Sequence, residues 1–183
     1  MKKTSFLKRF FNKQDEEEQE ESYENLNAVE KDMIRGIVEL SKTTVKEVMV
    51  PRIDVVFIAS DITINDLMTK LMESGHSRFP VYKETIDNVV GILYVKDLLP
   101  YLYKNKEISI ESIIRKAYFV PESKRLDSLL RELRLKRIHI AVSVDEYGGV
   151  SGIVCLEDIL EEIVGEIQDE FDNEIEDVLE IGD

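Results

Sequence analysis

From Thr43 onward the apolar positions switch between a spacing of two and a spacing of three to four, and the whole series of switches occurs twice. A spacing of two marks a strand with one covered face, and a spacing of three to four marks a helix with one covered stripe. In the first pass VKEVMVPR leads into a predicted strand DVVFIA, then into TINDLMTKLMES, where Ile64, Leu67, Met68 and Leu71 share a helix face. Thr63 with Asp66 three residues on is a helix start in which side chains satisfy free backbone N–H groups. A strand RFPVY, a turn at Asp87 and Asn88, a strand VVGILYV and a short helix from Lys96 complete the pass. That helix is predicted to end near Pro100, because proline disfavours helical backbone in the residue before it.

The second pass runs in the same order: ISIESIIRK, a strand AYFV, a helix carrying Leu126, Leu129, Leu130 and Leu133, a strand HIAVSV, the turn DEYGG, then VSGIVCL and a longer helix from Glu157. Each pass is β-α-β-β-α, so the predicted fold class is α+β. A right-handed crossover places both helices of a pass on one side of a three-stranded sheet. A unit of about 60 residues buries little on its own, so the two repeats are expected to pack together about an approximate two-fold axis. Ahead of them, Leu26, Val29, Met33, Ile34, Ile37 and Val38 recur at helical spacing and predict an N-terminal helix over residues 25–41. The expected organisation is a basic then acidic segment at 1–24, a linker helix at 25–42, repeats at 43–104 and 105–170, and an acidic tail at 171–183. Phe6, Leu7, Phe10 and Phe11 are spaced for an amphipathic helix over 4–12 that would lie on a membrane or a partner, with a frayed terminus as the alternative.

Composition narrows the function classes. The 183 residues are 43% hydrophobic and 34% charged, with a formal net charge of −14. Such a charge repels nucleic-acid phosphates, and the run Lys124, Arg125, Arg131, Arg134, Lys136 and Arg137 reads as a solvated helix face. The single cysteine, Cys155, excludes an internal disulfide, and with only His76 and His139 beside it the usual tetrahedral zinc set is missing. No apolar run reaches the roughly 18 residues of a membrane span and no secretory signal is recognisable, so a cytoplasmic location is expected. The basic start leaves a peripheral position at the inner membrane surface open. Neither G-x-S-x-G, a P-loop nor H-E-x-x-H occurs, so no catalytic residue and no metal ligand is assigned.

The chemistry-bearing feature is a repeated juncture. GILYVKDLL and GIVCLEDIL each hand a strand over to a helix, and Asp97 follows Gly91 at the distance at which Asp158 follows Gly152. Two sheets meeting about an axis leave a cleft on each side of their junction. The start of a helix at the mouth of such a cleft presents free N–H groups and a positive dipole end to a phosphate. A carboxylate there has two readings: a ribose acceptor, taking hydrogen bonds from a vicinal diol, or a plain N-terminal helix acid favoured by the dipole.

Taken together, VKEVMVPR, GHSRFPVY, GILYVKDLL and DEYGGVSGIVCLEDILEEIVGEIQDE resemble a tandem CBS-domain pair (Bateman module), and more narrowly the CorC/HlyC, hemolysin C-like family linked to magnesium and cobalt efflux. The resemblance covers residues 30–171. It implies a regulatory, non-catalytic module that binds an adenine nucleotide, AMP or ATP, leaving open whether Mg2+ accompanies it. A homodimer formed through the pair and a membrane transporter as partner are implied too. Carried over by motif, the nucleotide site joins Ser77, Arg78, Phe79 and Pro80 to Cys155 and Asp158, with Thr44 and Val45 flanking the base. Phe79 and Pro80 would wall the adenine, Arg78 would meet phosphate, and Asp158 would take the ribose. The family's usual threonine is Cys155 here, and a thiol is the weaker donor. A second, weaker site falls at Tyr94, Asp97, His139 and Ala141, where Tyr94 is bulky. The competing reading is a scaffold or dimerisation module with vacant clefts. Many members also carry a membrane-spanning domain before the pair and a small domain after it, neither of which is recognisable in these residues.

Overall fold

The computed structural model describes residues 26–103 and 109–165. The segment 1–24, its amphipathic stretch 4–12 and the tail 171–183 lie outside the described residues. In chain order the elements are α1 (Ala28–Leu40), α2 (Val45–Val48), β1 (Val50–Pro51), β2 (Ile58–Ala59), α3 (Ile64–Ser74), β3 (Arg78–Lys83), β4 (Thr85–Tyr94) and α4 (Val95–Tyr103). The second half continues with β5 (Phe119–Pro121), α5 (Leu126–Lys136), β6 (Ile140–Val144), β7 (Val150–Cys155) and α6 (Leu156–Val164). The fold is α+β, with one sheet ordered β2-β3-β4 and the other β1-β7-β6-β5.

The period-two alternation sorts the strand residues into three cores. Phe79, Val81 and Leu93 face the helices of the first repeat and pack with Leu67, Leu71 and Leu98. Ala141 and Val154 face those of the second, among Leu126, Leu129, Leu133 and Ile159. The residues between them in sequence, Ile92, Ile140, Val142 and Val150, point the other way and meet with Phe57 and Ala117 where the sheets adjoin.

The fourth strand of the second sheet comes from the lead-in to the first repeat. β1 pairs antiparallel with β7, Val50 opposite Ile153 and Pro51 opposite Gly152. Just before it, Val45 is fully buried in the second repeat's core, and its N–H donates to the Lys124 carbonyl at 2.9 Å. The exchange is mutual: Arg115, in the lead-in to the second repeat, forms a bridge with Ile92 of β4 through bonds of 2.8 and 2.9 Å. Both crossings explain the glycines of the repeated juncture. A Cβ at Gly152 would stand 2.2 Å from the Val50 carbonyl oxygen, and one at Gly91 would stand 2.8 Å from that of Arg115.

Three local expectations are corrected. α1 does form, closed by Asn27 and Glu30 accepting each other's backbone N–H at 2.9 and 2.8 Å, but its buried side is Gly36 and Leu40. A Cβ at Gly36 would lie 2.6 Å from the Glu162 carbonyl of α6, so close backbone packing sets the rotation, and Val29, Ile37 and Val38 stay 60, 57 and 54% exposed. The first hairpin turns at Glu84, whose φ is 64°, rather than at Asp87 and Asn88, which lie within β4. Helix α4 runs through Pro100 to Tyr103. Pro100 and Lys96 are both exposed, so the carbonyl that proline leaves without a helical donor can be hydrated.

Asp87 is held in the strand by what it ties together. Its carboxylate accepts from Arg52 at 2.7 and 3.2 Å and from the Val150 N–H at 2.9 Å, linking the first hairpin, the lead-in and the second sheet. The Val150 N–H, then Arg52, hold its pKa below the usual carboxylate value. A depressed folded pKa gives stability that is present above the unfolded pKa and is lost as pH falls through the folded one. Thermal melts between pH 7 and pH 3 are expected to show a smaller acid loss for Asp87→Asn than for the wild type. Parallel melting curves for the two would remove Asp87 from the acid response.

Candidate functional site

Two chain reversals bring residues of both repeats to one cavity of about 370 Å³. On the first side, Gly75 takes φ 67°, a left-handed conformation that ends α3 and turns the chain into β3. His76, Ser77, Arg78 and Pro80 thereby line the cavity, with Val50, Asp54, Val55 and Val56 from the lead-in beside them. On the second side β7 stops at Cys155 and α6 begins at once, presenting Ile153, Cys155, Glu157 and Asp158.

Alternation decides which predicted residues meet. Arg78 and Pro80 point to the junction, while Phe79 between them is fully buried on the helix side, so it forms no wall of the cavity. Thr44 and Val45 are not among the lining residues either. Val45 belongs to the second repeat's core, and Thr44 caps α2, its N–H donating to Glu47 at 2.8 Å. The apolar walls are instead Val50, Val55, Val56 and Ile153. These were missed because Val50 reads as part of the lead-in VKEVMVPR and Val55 and Val56 as an ordinary strand. The signal that would have found them is PRID, a proline-led break ahead of an apolar run.

Asp158 combines a structural duty with a place at the cavity. Its Oδ2 accepts the Cys155 N–H at 2.7 Å, closing the first turn of α6 as a helix acid does. It also lines the cavity. Burial raises its pKa, partly offset by that N–H. Burial, then the charges of Asp158 and Glu157, pushes the Cys155 thiol up to about 12, so the side chain is a neutral, weak donor at pH 7. Arg78 donates to Glu157 at 3.1 Å, while its Nε is buried without a partner among the described residues. Asp54, Glu157 and Asp158 thus give the cavity three carboxyl groups, of which Glu157 is paired with its one guanidinium.

The related corner at the end of β4 is organised differently. Asp97 accepts two bonds from Arg115, at 2.8 and 2.9 Å, and the same guanidinium lies 4.3 Å from the centre of the Tyr94 ring. Arg115 thereby occupies the carboxylate that would correspond to Asp158. His139 stands 3.9 Å from Glu157, and Ala141 is fully buried in the helix-facing core, so Ala141 lines no cavity with the other three.

The sequence pattern of the CBS domain matches residues 45–104 and again 108–165. The chain belongs to the CBS-domain family. Its CBS pair is of the CNNM/CorC kind. It superposes on the CBS domain of a bacterial CNNM/CorC family Mg2+ transporter with a TM-score of 0.74 at 43% identity, covering 84% of this chain and 99% of that one. The same type of domain in complex with ATP matches with a TM-score of 0.71 at 47% identity, over 75% and 99% of the two chains. The magnesium and cobalt efflux protein CorC of Escherichia coli K12 is 45% identical over 132 residues, which are 72% of this chain and 45% of that protein. The chain therefore spans less than half the length of that relative. Among the described residues no helix is long and apolar enough to cross a membrane.

Proposed function

We infer that the cavity between the CBS repeats binds an adenine nucleotide, and that its occupancy regulates a magnesium or cobalt transport process. The observation that carries this reading is the mixed wall: first-repeat residues Ser77, Arg78 and Pro80 face second-repeat residues Ile153, Cys155 and Asp158 across one space. A ligand held by both walls favours one relative orientation of the repeats, by no more than its difference in affinity for the two orientations. The residues fit the group. The valine and Ile153 walls suit a base, Asp158 a ribose, and the start of α6 with the unpartnered Arg78 Nε a phosphate. A CBS pair from Klebsiella pneumoniae with bound AMP, matching with a TM-score of 0.58 at 30% identity, supports the ligand class. We read the module as non-catalytic, placed in the cytoplasm or at the inner membrane surface, working as a homodimer beside a membrane transporter.

The three carboxyl groups that line the cavity with Arg78 make Mg2+ part of the proposal. Bare ATP would bring further negative charge to them, whereas a magnesium complex is largely neutralised. Among the described residues no group of three or more His, Cys, Asp or Glu is disposed to cage a metal, so the ion would arrive on the phosphates. Titration calorimetry with AMP and with ATP, each with and without Mg2+, tests this. Mg-ATP is expected to bind more tightly than free ATP, and Glu157→Gln to narrow that gap about three- to tenfold by freeing Arg78 and removing one charge. No heat with any adenine nucleotide would leave the second reading, a scaffold acting through protein contacts, which the Arg78–Glu157 pair and the Cys155 thiol favour.

A further inference from the structure

One oxygen of Glu157 is shared by two side chains. Its Oε1 accepts from Arg78 Nη1 at 3.1 Å and stands 3.9 Å from His139 Nδ1, so a guanidinium and an imidazole address the same atom. The backbone fixes this meeting. His139 immediately precedes β6, and its carbonyl accepts the N–H of Leu156, the first residue of α6, at 2.9 Å. Imidazole is the side chain whose charge ordinarily changes between about pH 5 and pH 8. While neutral, His139 leaves the Glu157 charge to Arg78. Once protonated, it can donate from Nδ1 to Oε1, and side chains that are 48 and 56% exposed have room to close the remaining gap of about an ångström.

The other charged groups of this corner do not stand in for that exchange. On α6, Asp158 is engaged by the Cys155 N–H and Glu161 lies a turn beyond Glu157. Ahead of β6, Arg137 ends α5 in a left-handed conformation. Beside Arg78 lies the Tyr94 ring, 5.6 Å from the guanidinium; Lys96 and Arg115 stand 5.8 and 4.3 Å from the same ring, and Arg115 is bound to Asp97. His76, the other imidazole, lines the cavity against Phe79 and among the described residues pairs with no carboxylate. We propose that His139 is a positioning residue whose protonation decides whether Arg78 is held by Glu157 or is free for a phosphate. The consequence for nucleotide affinity rests on the reading of the cavity given above, whereas the exchange of partners does not. Acidification hands Glu157 to His139, and a phosphate then meets an unclaimed guanidinium. Linkage makes the effect reciprocal: a phosphate that takes Arg78 leaves Glu157 to draw a proton onto His139.

NMR of the full chain with isotope-labelled arginine side chains tests the exchange without a ligand, the Arg78 Nε–H signal being identified by its loss in Arg78→Lys. That signal is expected to move between about pH 7.5 and pH 6 in the wild type and to stay in place in His139→Asn and in Glu157→Gln. Over the same range, calorimetry is expected to show AMP affinity rising about two- to fivefold more in the wild type than in His139→Asn, the scale of an exposed ion pair. Adenosine, which has no phosphate, should respond equally in both. Comparison with the variant cancels the titration of AMP itself, of His76 and of Asp158. An Arg78 signal that ignores pH, or that moves as far in His139→Asn, overturns the proposal. An equal response of AMP affinity in wild type and variant overturns it too, as does an adenosine response matching that of AMP. An Arg78 signal that moves as expected in a chain binding neither AMP nor ATP upholds the exchange of partners and rejects the nucleotide reading alone.

Discussion

Gly152→Ala is expected to cost about 3 kcal/mol in urea unfolding, a large share of the 5–15 kcal/mol that a domain of this size ordinarily has. The added methyl would stand 2.2 Å from the Val50 carbonyl oxygen and 3.2 Å from its carbon, so it meets backbone of the crossing strand rather than a side chain that can swing away. Relief requires β1 to leave β7, and with it the burial of Val45 in the second core. Gly148→Ala is the control: its φ of 84° strains an alanine, but nothing lies within 4 Å, and a cost of about 1–2 kcal/mol follows from the backbone alone. Equal losses at the two positions would show that the crossing is not what fixes Gly152.

Asp158→Asn separates the two duties of that side chain. The amide oxygen can still accept the Cys155 N–H, so the melting temperature should stay close to that of the wild type. The negative charge that strengthens bonds from a ribose is gone, and adenine-nucleotide affinity is expected to fall about tenfold or more, corresponding to about 1.5–3 kcal/mol. Asp158→Ala adds the loss of the cap, about 1 kcal/mol of stability. Because burial raises the Asp158 pKa, its acceptor form is lost on mild acidification earlier than that of an ordinary carboxylate, and affinity should decline with it. Calorimetry in which the asparagine variant binds as tightly as the wild type would reduce Asp158 to a helix cap.

The repeat, the order of its elements and the two-layer packing were legible because periodicity is a local property that each strand and helix displays by itself. The site was legible in part. Ser77, Arg78, Pro80, Cys155 and Asp158 converge as the motifs suggested. Phe79 does not, and the alternation that turns it away from Pro80 was already present in RFPVY. What no local pattern carried was pairing between distant segments. Val50 opposite Ile153, Arg115 on Asp97 and Arg52 on Asp87 join residues far apart in the chain, and nothing in their own neighbourhoods marks the partner. The rotation of α1 was misjudged for a related reason. Hydrophobicity selected the stripe through Ile37 and Val38, whereas packing against α6 selected the side where a glycine lets two backbones approach.

The way α1 is seated has a mechanical corollary. The helix stands first among the described elements yet leans on the last of them, backbone against backbone at Gly36, and the stretch after it is stitched into the far sheet. A tug on its leading end would thus bypass the nearer repeat and arrive at α6, whose opening turn holds Asp158. Leverage would run in reverse as well: tilting α6 by a few degrees swings the leading tip of a 13-residue rod.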